Sequence, residues 1–213
     1  MTMANTDERG SLFVFEGCDR PGNTTQVEKL VERLIKEGKP TKMIRFPDST
    51  MDIGSVINSY LTDNKEVDDR AIHLLFSANR WEMVKVILDT LQEGTSVIID
   101  QYAYGGVAFS AAKEGLTLEW CKQPDIGLPK PDLVCYMDVT EGVDKDREDP
   151  GEERYELSQF QRKVKENYMN LYDPSWVTVP TEGTLIEVEE ELHHIVGKEV
   201  NKVKKGELRK LWV

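Results

Sequence analysis

Apolar positions along the chain fall into two kinds of run that alternate. Short continuous runs (Leu12 to Phe15, Met43 to Phe46, Ser96 to Ile99, Leu133 to Met137, Trp176 to Val179) read as buried strands. Between them apolar residues recur three and four apart, as in Val27-x-x-Leu30-Val31-x-x-Leu34-Ile35, a pattern that stops at Gly38. Helical patterns also cover Ile53 to Leu61, Asp68 to Leu91, Phe160 to Tyr172 and Leu185 to Val203. Strands alternating with helices imply parallel βαβ units, a sheet covered on both faces. Ligands of such a sheet sit outside the carboxyl ends of its strands, where Gly17, Asp100 and Asp138 fall. The 213 residues are expected to form one domain, residues 11–213, after a flexible polar tail over residues 1–10.

The end of the first strand turns this pattern toward chemistry. Gly17, four residues, Gly22, Asn23 and Thr24 reproduce the phosphate-loop frame G-x-x-x-x-G-K-[ST], with asparagine in the place of lysine. Backbone N–H groups and the positive end of the following helix cradle anions in such a loop. Glycines at 17 and 22 allow phosphate oxygens to approach closely. The Thr24 or Thr25 hydroxyl can reach Mg²⁺. A lysine would bridge the β- and γ-phosphates; Asn23 can donate hydrogen bonds but carries no charge, and Pro21 lacks an N–H. Taken alone, the lysine-less frame is equally compatible with a glycine-rich turn.

Composition narrows the partners. A net charge of −12 argues against a general binder of nucleic acid or of anionic membranes, so an anionic substrate requires locally clustered arginines. The segment Thr140 to Glu156 carries Arg147 and Arg154 on either side of Pro150-Gly151. It reads as a charged surface loop or, functionally, as a lid over phosphates. Cys18, Cys121 and Cys135 are odd in number and lack metal-ligand spacing, which points to a reducing compartment, the cytoplasm or the nucleus. No apolar run reaches membrane-spanning length.

Several ordered blocks carry a family resemblance. They are Glu16-Gly17-x-Asp19-Arg20, Arg45-Phe46-Pro47, Leu74 to Glu82, Tyr102-x-x-x-Gly106-Val107-Ala108-Phe109, Lys122 to Asp132, and Glu153-Arg154-Tyr155-Glu156. From about Gly10 to Trp212 the chain resembles thymidylate kinases, nearest the eukaryotic and poxviral kind. The resemblance implies a nucleoside-monophosphate kinase fold with a five-stranded parallel sheet, flanking helices and a mobile lid at about 140–156. It also implies transfer of the γ-phosphoryl of ATP to dTMP with Mg²⁺, and homodimers built by packing long helices.

Matched by position, the resemblance implies a catalytic set of Asp19, Arg20, Asp100 and Arg147, with Arg20 and Arg147 looking toward the ATP phosphates. Gly17, Gly22, Asn23, Thr24, Thr25 and Arg154 would hold the ATP phosphates, and Thr24 and Asp100 the metal. Asp19 would contact the sugar and phosphate region of dTMP and Arg45 its phosphate. Phe76 would stack on thymine, Arg80 would hydrogen-bond a base carbonyl, and Tyr155 would close over the base. Tyr102 and Phe109 would shape the pocket, with Gln101 and Gly106 beside them. The spacing of Phe76 and Arg80, four apart on one helical face, suits a planar base independently of the resemblance; so placed, they also read as a core ring beside a surface arginine. His73, one turn earlier, reads as packed or solvated and not as a catalytic base.

The departures from the family pattern concentrate at the phosphates: Asn23 for lysine, Gln101 for the arginine of an Asp-Arg-Tyr motif, Gly105 for serine and Pro21 for a small residue. They imply weakened turnover. The alternative is a catalytically inactive nucleotide-binding pseudokinase or a regulatory dimer partner.

Overall fold

The computed structural model describes residues 8–17, 23–63, 66–138, 158–202 and 204–213. Its centre is a five-stranded sheet made of β2 (Leu12–Gly17), β3 (Thr41–Arg45), β4 (Ser96–Asp100), β5 (Leu133–Asp138) and β6 (Trp176–Pro180). The spatial order is β3-β4-β2-β5-β6 and every pairing is parallel. All six residues of β2 and all five of β4 are buried, the signature of strands covered on both faces.

Alternation along the strands divides the core. Leu12, Val14, Val97 and Ile99 face a layer containing α3 (Asp69–Gln92), α4 (Ala103–Ala111) and α6 (Ser158–Leu171). Phe13, Phe15, Ile98 and Met137 face the opposite layer, α1 (Asn23–Lys36) and α7 (Leu185–Val200), through Val27, Leu30, Leu34, Leu192 and Val196. The helix α2 (Asp52–Thr62) packs on α3 through a smaller cluster of Ile57, Tyr60 and Ile72.

Caps explain the helix starts that periodicity alone leaves loose. Asp68 precedes α3 and accepts the N–H groups of Arg70 at 2.9 Å and Ala71 at 3.2 Å. Thr184 and Glu187 form a reciprocal capping box at the start of α7. That helix ends at Val200, not Val203, because the chain leaves it through Asn201 to form the two-residue strand β7 (Lys204–Lys205). β7 pairs antiparallel with β1 (Glu8–Arg9). The end of the stretch expected as a flexible tail is thus ordered, and Arg9 clamps it further by a two-pronged bond to Asp132, at 2.7 and 2.8 Å.

Two helices escape the sequence pattern. α4 contains Gly105 and Gly106, which intrinsic propensity disfavours in a helix. Their surroundings are crowded. A β-carbon at 105 would lie 2.8 Å from Gln101 Oε1 and 2.9 Å from Glu16 Oε2, and one at 106 would lie 3.0 Å from the Arg80 guanidinium. α5 (Leu118–Lys122) is a short helix followed by a 3₁₀ turn, Gln123–Asp125.

Candidate active site

β2 ends at Gly17, where a side chain has no room: a β-carbon would stand 2.7 Å from the Met137 carbonyl oxygen of the neighbouring strand. α1 opens at Asn23. Thr24 points across to β4, its hydroxyl donating to Asp100 Oδ2 at 2.8 Å, whereas Thr25 is exposed. Burial pushes the Asp100 carboxyl above its usual range, opposed by the Thr24 bond and by the Arg45 charge. Arg45, at the end of β3, places Nε 3.6 Å from the same Asp100 oxygen while its side chain stays 62 % exposed. Thr24, Asp100 and Arg45 therefore converge outside the carboxyl ends of adjacent strands. Asp19, Arg20 and Gly22, together with Arg147, Arg154, Tyr155 and the proposed lid, lie outside the described residues.

Beside this cluster opens one pocket lined by Arg45, Phe76, Arg80, Gln101, Tyr102, Gly106 and Phe109. These seven residues come from three separate stretches of sequence, and the fold brings them to one place. Phe46, Pro47, Gly105, Ser110 and Lys113 complete the wall near them. Lys113 is a cation that the sequence pattern does not single out; it bonds Asp69 at 2.6 Å and lies 5.7 Å from the Tyr60 ring. Gln101, immediately after Asp100, has φ of 64°, a left-handed backbone that non-glycine residues adopt at a cost on the order of 1–3 kcal/mol.

The pocket stands on buried polar groups. Glu16 is 1 % exposed and accepts the Tyr102 N–H at 3.0 Å. The Tyr168 hydroxyl lies 3.1 Å from both Glu16 Oε2 and the Gly17 carbonyl oxygen. Burial raises the Glu16 carboxyl to about 7 despite these bonds and the nearby Arg80 charge. His73 is buried between Ser110 Oγ and the Cys121 carbonyl oxygen, both at 2.8 Å. A carbonyl only accepts, so Nε2 carries the proton and Nδ1 accepts from Ser110. Burial holds His73 below its ordinary pKa, and the residue is a packed, neutral crosslink between α3, α4 and α5. Arg80, read from the sequence as a base contact, makes a buried forked bond to Asp125, a residue to which the sequence reading gave no role.

A parallel sheet in this order, with a glycine-terminated strand leading into a helix and a carboxylate at the end of the adjoining strand, defines a phosphate-loop kinase of the nucleotide type. The thymidylate kinase family model matches residues 15–192. The chain belongs to the thymidylate kinase family, a family of phosphotransferases. It is 42 % identical over 207 residues to the thymidylate kinase of Danio rerio, covering 96 % of this chain and 98 % of that one. The Homo sapiens thymidylate kinase is 40 % identical with the same coverage. Among solved structures, a Candida albicans thymidylate kinase superposes with a TM-score of 0.87 at 35 % identity, over 97 % of this chain and 100 % of that one. Among the described residues, no helix is long and apolar enough to cross a membrane.

Proposed function

We propose that the protein transfers the γ-phosphoryl group of ATP to dTMP, giving ADP and dTDP. The observation that carries this reading is the single pocket uniting Phe76, Arg80, Tyr102 and Phe109 with Arg45, beside the Thr24–Asp100 pair at the start of α1. Phe76 stacks on thymine, Arg80 donates to a base carbonyl, and Arg45 holds the acceptor phosphate against the cluster. An oxygen of that phosphate forms the new bond to the γ-phosphorus as the bond to the β,γ-bridging oxygen breaks. Such an acceptor needs positioning and charge stabilisation more than a general base.

Thr24 and Asp100 fit a Mg²⁺ site, since both offer hard oxygen donors and Mg²⁺ in phosphotransferases takes few protein ligands beside substrate phosphates. Bound there, Mg²⁺ would neutralise charge developing on the transferred group. Asp19, Arg20, Arg147 and Arg154 extend the phosphate set, and Tyr155 the base set, by resemblance. Asn23 and Gln101 remove two cations from the phosphate side, which favours weakened turnover; an inactive nucleotide-binding protein is the second reading on the same ground. Purified protein with Mg-ATP is expected to release ADP in proportion to added dTMP. Release equal to a no-enzyme blank, with dTMP still bound in calorimetry, would select the second reading; absence of binding as well would defeat both.

A homodimer belongs to the same proposal. On α3, Leu74, Trp81 and Leu88 are 47, 41 and 42 % exposed at seven-residue spacing, a stripe that an identical helix matches across a two-fold axis. Trp81 also donates to the Pro124 carbonyl, so Leu74→Glu/Leu88→Glu is the cleaner disruption. Sedimentation is expected to show a dimer for the parent and a monomer for the variant; a parent that sediments as a monomer excludes the assembly. The protein is expected to act in the cytoplasm and nucleus, and localisation of a fluorescent fusion to another compartment would contradict that.

A further inference from the structure

Arg80 is held between two elements, and one of them decides which edge of its guanidinium the pocket sees. Asp125, fully buried, accepts Nε at 3.1 Å and Nη2 at 2.6 Å. The same carboxylate accepts the Ser77 hydroxyl at 2.7 Å, so its oxygens are engaged by two side chains one helical turn apart on α3. The turn carrying Asp125 is itself fastened to α3, because the Trp81 indole N–H donates to the Pro124 carbonyl at 2.8 Å. From the other side comes Gly106 of α4, where an added β-carbon would lie 3.0 Å from both Nη1 and Nη2. The guanidinium is 2 % exposed, and rotating it would break two charge-assisted bonds where water is scarce.

We infer that Asp125 is a positioning residue for base recognition, holding the donors of Arg80 against the base pocket so that they cannot turn aside. This rests on the pocket being the dTMP site. A guanidinium has five donors and no acceptor, so a pyrimidine carbonyl at that position is matched. An amino group there sets donor against donor and leaves both unsatisfied in a buried place. The selectivity depends on Arg80 being unable to turn aside, and that constraint is supplied by Asp125. An asparagine at 125 would keep one acceptor, present a donor to the guanidinium in place of the other, and remove the charge.

The test is calorimetric binding of dTMP and of dCMP, which carries an amino group in place of a thymine carbonyl, to the full chain and to Asp125→Asn. The parent is expected to prefer dTMP by at least about 100-fold, and the variant to lose at least about tenfold of that ratio. A merely structural role would weaken both ligands alike and leave the ratio in place. An unchanged ratio in a folded Asp125→Asn, or a parent that binds both ligands equally, overturns the inference while leaving the pocket assignment standing. A parent that binds neither removes the pocket assignment and the inference together. Should Asp125→Asn fail to fold, Ser77→Ala, which takes one donor from the same carboxylate, is expected to lower the ratio several-fold, and an unchanged ratio there overturns the inference equally.

Discussion

Restoring two cations, in Asn23→Lys/Gln101→Arg, is expected to raise dTMP-dependent ADP release far more than either change alone. Asn23 opens α1 one residue before Thr24, and Gln101 follows Asp100 at the end of β4, so the two flank the Thr24–Asp100 bond from the helix side and the strand side. Each charge would act on the same transferring group, and removing one preorganised donor from such a site typically costs on the order of 10²–10³ in rate. Groups that act on one transition state couple, so the double variant should exceed the sum of the singles. The left-handed backbone at Gln101 already aims that position at the pocket, so the new arginine inherits the placement. A coupled assay on the four proteins measures the effect. Equal rates for the double variant and the parent would refute the account.

Glu16→Gln is expected to change how stability depends on pH, by an amount on the order of 3 kcal/mol. Glu16 is buried, and its carboxyl is raised from 4.5 to about 7. The charged group facing it is Arg80 on α3, with the Tyr168 hydroxyl and the Tyr102 N–H bonded to its carboxyl and Tyr104 nearby. Between pH 4.5 and about 7 the folded chain keeps a proton that the unfolded chain has released. Stability from this group is therefore full below 4.5 and is lost as pH rises through about 7. Glutamine cannot ionise, so the variant should gain on the parent between pH 5 and pH 8. Urea unfolding at the two pH values gives the difference directly; parallel shifts of parent and variant would show that Glu16 does not titrate in this interval.

The central strands β2, β4 and β5 were legible because each is a short run of mostly apolar residues, and burial on both faces leaves no alternation to confuse them; the edge strands β3 and β6 are partly exposed, and β3 runs Thr41–Arg45 where the apolar run suggests Met43 to Phe46. The long helices were legible from their spacing. α4 was not, since its paired glycines disfavour a helix and no helical pattern marks it; the Glu16, Gln101 and Arg80 side chains press against those glycines. β1 and β7 are two residues each, too short to leave a periodic signal. In the site, the motif blocks singled out pocket residues that the fold does bring together, from Arg45 to Phe109. The supporting layer was another matter. Glu16 entered only as a letter of a motif, and Asp125 reaches Arg80 across 45 residues of sequence through a 3₁₀ turn, a pairing that no local pattern encodes.

The chain after β7 returns to this supporting layer. The Leu211 carbonyl accepts the Gly127 N–H at 3.0 Å, the Leu211 N–H donates to the Leu128 carbonyl at 2.7 Å, and Trp212 meets the Tyr104 ring edge-on. Residues 127 and 128 lie two and three positions past Asp125, so the turn that holds Arg80 is fastened by residues more than eighty positions later in the chain. All five strands of the sheet are complete once β6 has been made, whereas the bonds from residues 209 and 211 to the turn after Asp125 can form only when the chain's last residues have emerged. On the proposed assignment of the pocket, base recognition is expected to mature after the sheet, in a chain that already carries its phosphate end.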